Sequence, residues 1–118
     1  MRLPVALSLL LTALSALPLH AAEPLLPKAE GYESREDWRR PIAPFALALR
    51  TSYIGTEGLS AVLVKTDAGA VLIDGGLPQA ADMLLAHMRD LGVAPSDVRL
   101  ILHSHAHIDH APPIARIK

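Results

Sequence analysis

Cysteine is absent from the 118 residues. That excludes disulfides, the usual reinforcement of a small exported chain, and leaves stability to a packed core. Charge of one sign is also missing, with 11 basic residues against 12 acidic ones and a net charge of −1. This excludes the concentrated positive field that nucleic acid or anionic lipid requires. Aromatics make up only 3% of the chain, with a single tryptophan, Trp38, expected to plug the edge of a core. Long apolar runs are missing beyond the first two dozen residues, so no other segment could span a membrane.

The chain is not poor in apolar residues overall. They make up 51% of it, which excludes disorder on grounds of composition. Part of that share lies in Leu3 to Leu19, behind the single positive charge of Arg2 and ahead of His20-Ala21-Ala22-Glu23. This is the order of a secretory signal, so residues 1–22 are expected to be removed and the mature protein to be exported, to the periplasm. Pro4 and Pro18 interrupt the run, which falls short of the ~20 residues of a spanning helix, and no membrane association is expected after removal. The mature chain keeps 10 basic and 12 acidic residues, a net charge of −2.

Residues 23–45 are rich in proline and charge and read as an N-terminal arm, with one helical turn expected over Glu33 to Arg39. Residues 46–118 form the domain proper. Phe45 to Ile54 reads as a strand. Leu59–Val64 and Ala70–Ile73 are short and rich in β-branched residues, with Lys65-Thr66-Asp67-Ala68-Gly69 between them as a hairpin turn. From Pro78 to Leu91, Ala81, Leu84, Leu85, Met88 and Leu91 line one face of a helix that Gly92 ends. His87 falls off that face and is expected in solvent. Val98–Leu102 is a strand expected to be buried on most sides, and Pro112–Lys118 starts another helix. Alternating strands and helices indicate an α/β fold.

At the end of the Val98–Leu102 strand lies His103-Ser104-His105-Ala106-His107-Ile108-Asp109-His110, which holds four of the six histidines. The bland alternative is a chance histidine-rich loop. A buried strand just before it, with an aspartate inside a fixed spacing, favours a metal site. His105 and His107, one residue apart on a loop, can turn both imidazoles to one side and share an ion. Asp109 and His110 can aim at a neighbouring position. Imidazole and carboxylate donors suit zinc best, with iron and manganese as alternatives. Two ions ~3.5–4 Å apart would activate a bridging water. His103 precedes the pattern and is expected to support it from behind. Asp74, at a strand end before Gly75-Gly76, is expected to hold the second nitrogen of a ligand histidine.

These residues resemble the metallo-β-lactamase superfamily, and more closely the third subclass of class B β-lactamases. The resemblance is carried by Ile54–Val64, by Asp67–Pro78 and by Leu100–Leu102 leading into Ser104–His110, with Trp38–Ala43 similar to that subclass's N-terminal arm. It implies the first half of an αββα sandwich. It also implies two zinc ions, with His105 and His107 on the first and Asp109 and His110 on the second, Asp109 doubling as the catalytic carboxylate. His110 fits the third subclass, because the first uses a distant cysteine. His105 argues against the second subclass, where asparagine usually stands. The implied reaction is attack of metal-bound hydroxide on the carbonyl of a small β-lactam substrate, with no covalent acyl-enzyme. The chain departs from the family at Pro112-Pro113, where glycine usually follows Ala111, and proline there fixes φ and removes an N–H. The family's remaining metal-binding histidines belong to its second half, so the chain taken alone is expected to be an inactive N-terminal fragment. Other expectations are a superfamily hydrolase of thioesters, lactones or phosphodiesters, or a non-catalytic truncated product. The oligomeric state is not legible.

Overall fold

A computed structural model of the chain describes residues 24–27, 35–110 and 114–117. Residues 1–22, expected to be an export signal, and Pro112 lie outside the described residues. Among the described residues no helix is long and apolar enough to cross a membrane.

The elements are α1 (Glu36–Arg39), β1 (Phe45–Ala48), β2 (Thr51–Tyr53), β3 (Val62–Thr66), β4 (Gly69–Ile73), α2 (Ala81–Asp90), β5 (Val98–Leu102) and α3 (Ile114–Ile117). A 3-10 turn, Pro78–Ala80, leads into α2. The strands form one sheet in chain order. β1 to β4 pair antiparallel, and β5 joins β4 in parallel. A parallel neighbour needs a crossover, and the chain from Asp74 to Asp97, with α2 in it, supplies one.

Alternation along β3 and β4 decides which face is covered. Leu63, Ala70 and Leu72 are buried and pack with Met83, Leu84 and Met88 of α2. The intervening Val62, Val64, Val71 and Ile73 face the other way and are only half-buried. The β3–β4 hairpin closes through Asp67-Ala68, with Thr66 paired to Gly69. The end of α2 is a glycine cap. Gly92 has φ +72°, its N–H donates to Arg89 O (2.8 Å), and Val93 N–H donates to Met88 O (2.8 Å). These two bonds satisfy carbonyls that the helix end would otherwise orphan.

The structure corrects four expectations. The strand expected over Leu59–Val64 is β3, Val62–Thr66, so Lys65 and Thr66 pair with Ala70 and Gly69 and do not belong to the turn. The strand expected over Phe45–Ile54 is two strands, reversing at Leu49-Arg50. Folding back gives β2 a second partner and stacks Phe45 on Tyr53 at a centroid distance of 5.0 Å. β5 is not buried on most sides. It is the edge of the sheet, and only Val98 along it is fully buried, with Leu100 and Leu102 exposed on the uncovered face. His87 is not in solvent. It is 7% exposed, and its Nδ1 lies 2.9 Å from Ile54 O, because the buried positions of α2 are Ala81, Met83, Leu84, His87 and Met88.

The arm docks through the loop before β3. Glu57 N–H donates to Arg40 O (2.9 Å) and Gly58 N–H to Asp37 O (3.0 Å). Arg40 also pairs with Glu57 (2.5 Å) and with Glu36. These carboxylates raise the Arg40 pKa, chiefly through the hydrogen bond from its guanidinium to Glu57.

Candidate metal centre

β4 and β5 run parallel with Ile73 opposite Leu102, so both strands end at the same edge of the sheet. Asp74 and His103 are the residues that follow, and the parallel pairing brings them together although 29 positions separate them. The chain turns sharply at Asp74, which is buried and has φ +56°, a left-handed conformation unusual outside glycine. Its N–H donates to Leu102 O (2.9 Å), extending the ladder by one bond.

The Asp74 carboxylate holds the motif loop. Oδ1 accepts the Ser104 N–H at 2.8 Å, and Oδ2 lies 3.3 Å from His110 Nδ1. Burial pushes the Asp74 carboxyl up. The Ser104 N–H, the Ser104 hydroxyl and His110 together outweigh that penalty, and the net shift is downward. Asp74 is therefore an anion anchored by donors on both of its oxygens. Ser104 Oγ lies 3.0 Å from His105 Nδ1 and 3.4 Å from His110 Nδ1. With the proton on Nδ1, the His105 ring donates to Ser104 Oγ and keeps a lone pair at Nε2.

Three of the four residues expected to bind metal converge. One donor atom each of His105, His107 and Asp109 lies within 4.8 Å of the others. The two imidazoles meet edge-on at 4.7 Å between centroids. Both histidines are exposed, and Asp109 is half-buried. His110 stands beside the group. Its ring is 3.9 Å from that of His105, and its Nε2 is 3.4 Å from Asp109 Oδ2. A turn, His110 N–H to His107 O at 3.0 Å, sets this geometry. His103 lies behind the loop, with Nδ1 3.3 Å from His110 O. Two imidazoles and a carboxylate, open to solvent on one side, match the donor set of a hydrolytic zinc ion in type and number.

Ser104 was not singled out from the sequence, yet it touches Asp74, His105 and His110. The available signal was a small hydroxyl residue placed between a strand end and a histidine.

The family model described as the metallo-beta-lactamase superfamily matches residues 54–111, from the end of β2 through the whole motif. Residues 54–111 of this chain belong to the metallo-beta-lactamase superfamily. It is 48% identical to a subclass B3 metallo-beta-lactamase isolated from a soil metagenome library, with a TM-score of 0.64, over 69% of this chain and 31% of that one. The subclass B3 metallo-beta-lactamase of Bradyrhizobium japonicum matches at 37% identity and TM-score 0.67, over 70% and 31% of the two chains. A beta-lactamase from Chitinophaga pinensis matches at 33% and 0.71, over 77% and 34%. Among curated proteins, metallo-beta-lactamase domain-containing protein 1 of Homo sapiens is 41% identical over 61 residues, 52% of this chain and 23% of the relative. The chain thus spans about a third of the solved relatives and under a quarter of the curated one. Its five-stranded sheet and α2 match part of the superfamily's α/β sandwich.

Proposed function

We propose that this chain carries the metal-binding motif of a zinc-dependent hydrolase that opens β-lactam rings. The observation that carries the reading is the convergence of His105, His107 and Asp109 at the strand edge, in a chain 48% identical over the aligned part to a subclass B3 enzyme. A zinc ion bound there would supply Lewis acidity and bring the pKa of water toward neutrality.

The remaining work falls to the chain's own groups. Asp74 and Ser104 hold the loop so that the imidazoles are aimed before any ligand arrives, which removes an ordering cost. Hydrolysis adds the oxygen of water to the lactam carbonyl carbon, breaks the C–N bond and requires a proton on the departing nitrogen. Asp109 is the carboxylate in the group, and its oxygen is placed to take a proton from water and return it to that nitrogen. The motif lies open on the surface, with His105 and His107 exposed, so little of the chain surrounds a substrate. We therefore expect the 118-residue chain by itself to turn β-lactams over far more slowly than its longer relatives. The apolar stretch Leu3–Leu19 behind Arg2 supports export, and a periplasmic location belongs to the same proposal.

The test is hydrolysis of a carbapenem by the purified chain with added zinc, with a chelator, and beside a longer subclass B3 enzyme. Slow turnover that needs zinc supports the reading, and turnover that survives chelation sinks it. One observation favours a second reading. The 41% identity to metallo-beta-lactamase domain-containing protein 1 fits a superfamily hydrolase of a thioester, lactone or phosphodiester. Zinc-dependent turnover of one of those with none of the carbapenem would select it.

A further inference from the structure

We infer that the chain carries a second binding site, for a phosphate monoester, in the groove at the end of the sheet opposite the metal centre. β3 ends at Thr66, β4 begins at Gly69 and β5 begins at Val98. The groove therefore lies at the far end of β4 from Asp74, about 17 Å away along five residues of strand. Binding there is separate from the metal centre and does not depend on the proposed function. The groove has a volume of about 360 Å³, and its lining includes Lys65, Asp67, Ala70, Val93, Asp97 and Arg99. That is room for a small ligand. Ala70 and Val93 are buried and give it an apolar floor.

The backbone sets Arg99 in place. Ala70 pairs with Val98 and Val71 with Leu100, which leaves Arg99 as the extra residue of a β-bulge. A bulge takes a side chain out of its strand's alternation and re-aims it. The Arg99 stem crosses Gly69, where a Cβ would lie 2.6 Å from Arg99 Cγ, a clash that glycine avoids. Arg99 Nε donates to Ala68 O at 3.3 Å. The stem and one nitrogen are thus held, and the two terminal nitrogens keep their four N–H donors. Lys65 Nζ donates to Leu91 O, at the carbonyl end of α2, at 3.2 Å, and keeps two donors.

Charge decides the ligand class. Among the described residues Lys65 and Arg99 bond to carbonyls, and neither is paired with a carboxylate. The acids of the lining are already engaged. Asp67 Oδ1 accepts from Arg50 at 2.6 Å, and Asp97 Oδ2 accepts the Ala94 N–H at 2.9 Å. Two cations without a counter-charge match a phosphate monoester, which carries about −1.5 to −2 at pH 7, better than a single carboxylate. The guanidinium fork suits two phosphate oxygens, and the ammonium adds a point charge.

The experiment titrates the full chain, stripped of metal and then freed of chelator, with phenyl phosphate and, in parallel, with benzoate. Nuclear magnetic resonance follows the amides of Gly69 and Ala70 and the Arg99 Nε–H. Saturable shifts at these groups are expected, with a dissociation constant of about 1 mM or tighter, and benzoate should bind about 10-fold more weakly. Arg99→Ala and Lys65→Ala should each weaken phenyl phosphate binding by at least about 10-fold, and Arg99→Lys should recover little because the fork is gone. Arg89→Ala removes an exposed charge of α2 outside the groove and should change affinity less than about twofold. Lys65 and Arg99 are exposed, so their variants should fold; unfolding midpoints check this, and Gln replaces Ala where a variant unfolds. Shifts that do not saturate, or a loss in Arg89→Ala as large as in Arg99→Ala, would overturn the site and leave only diffuse attraction between charges. Benzoate bound as tightly as phenyl phosphate would overturn the assignment to a phosphate monoester.

Discussion

Asp74 offers the sharpest test of how the site is held. Replacing it with Ala removes the acceptor of the Ser104 N–H (2.8 Å) and the partner of His110 (3.3 Å). A hydrogen bond to a charged group contributes about 1.5–3 kcal/mol. Ala also keeps the unfavourable φ of +56° without the local hydrogen bonding that lets Asp tolerate it, at a cost of about 1 kcal/mol. The expected loss for Asp74→Ala is therefore about 2–4 kcal/mol, a large part of the stability of a small domain. Asp74→Asn keeps an acceptor for Ser104 and tolerates the left-handed conformation, so it should lose only about 1 kcal/mol. Asp74→Gly relieves the backbone but loses both contacts, and should fall between the two. Urea unfolding of the three variants beside the parent chain reads these values from midpoints at constant slope. A pH series adds a second axis. The Asp74 carboxyl is held below its ordinary value of 3.8 by donors that outweigh its burial. Its contribution is therefore complete above that value and is lost as pH falls through the depressed folded value. The parent chain should lose this contribution below about pH 4, and Asp74→Asn should not show that component. If Asp74→Ala lies within about 0.5 kcal/mol of the parent chain, or Asn and Ala cost the same, the carboxylate is not what anchors the motif loop.

Three further outcomes are expected. At Gly55 a Cβ would lie 2.2 Å from Leu59 O and 2.7 Å from Ala61 N, so Gly55→Ala should cost more than about 3 kcal/mol or prevent folding, whereas Gly92→Ala, with open space around it, should cost about 1 kcal/mol from its φ alone; thermal unfolding of the pair separates close approach from backbone strain. His87→Leu leaves Ile54 O without its buried partner and should lose about 1–3 kcal/mol, with His87→Gln losing less; equal unfolding midpoints for the two would mean that the bond carries nothing. The uncovered sheet face, with Phe45, Leu100 and Leu102 exposed at 47%, 47% and 43%, should bind an apolar dye and drive association that rises with concentration, and replacing Leu100 and Leu102 by Lys should reduce both in scattering and size-exclusion measurements, whereas unchanged profiles would mean that the face does not stick.

Much of the fold was legible because alternation and helical period are local signals. Ala70–Ile73, with its β-branched alternation, stands where the pattern puts it, and the turn falls within the expected Lys65–Gly69 but is narrowed to Asp67-Ala68. The glycine that ends α2 also does so. The reversal at Leu49-Arg50 was not legible, because no turn residue marks it and Phe45, Leu47 and Leu49 continue the same alternation across it. The exposure of β5 escaped for a different reason. A run such as Val98-Arg99-Leu100-Ile101-Leu102 looks alike at the centre of a sheet and at an edge whose apolar face is uncovered. His87 was misread because the apolar face was drawn through Ala81, Leu84, Leu85, Met88 and Leu91, whereas the buried positions include Met83 and, one turn on, His87, which the helix buries with a carbonyl as partner. At the site, residue types and spacing named the cluster, but the partition of its nitrogens could not be read from spacing. That depends on which carboxylates face His110, and one of them, Asp74, lies 36 residues away.

The separation between Asp74 and His110 explains why the site depends on the register of one strand pair. Ile73 opposite Leu102 places the Asp74 turn against Ser104, and the irregularity between Ala70 and Val71 sets that alignment near the start of the two strands. A slip of one residue would move Asp74 about 3.3 Å along the sheet, more than the 2.8 Å that now joins its carboxylate to the Ser104 N–H. It would also turn the Ala70 and Leu72 side chains away from α2. The burial of Leu72, Leu84 and Met88 therefore does more than stabilise a sheet. It resists the slip that would take the motif loop off its anchor, and so couples the packing under α2 to the aim of His105, His107 and Asp109. On this argument Leu72→Ala should weaken zinc binding as well as stability, although the residue touches none of the three. A Leu72→Ala chain that loses stability but binds zinc as tightly as the parent would show that the loop holds its own geometry without the sheet.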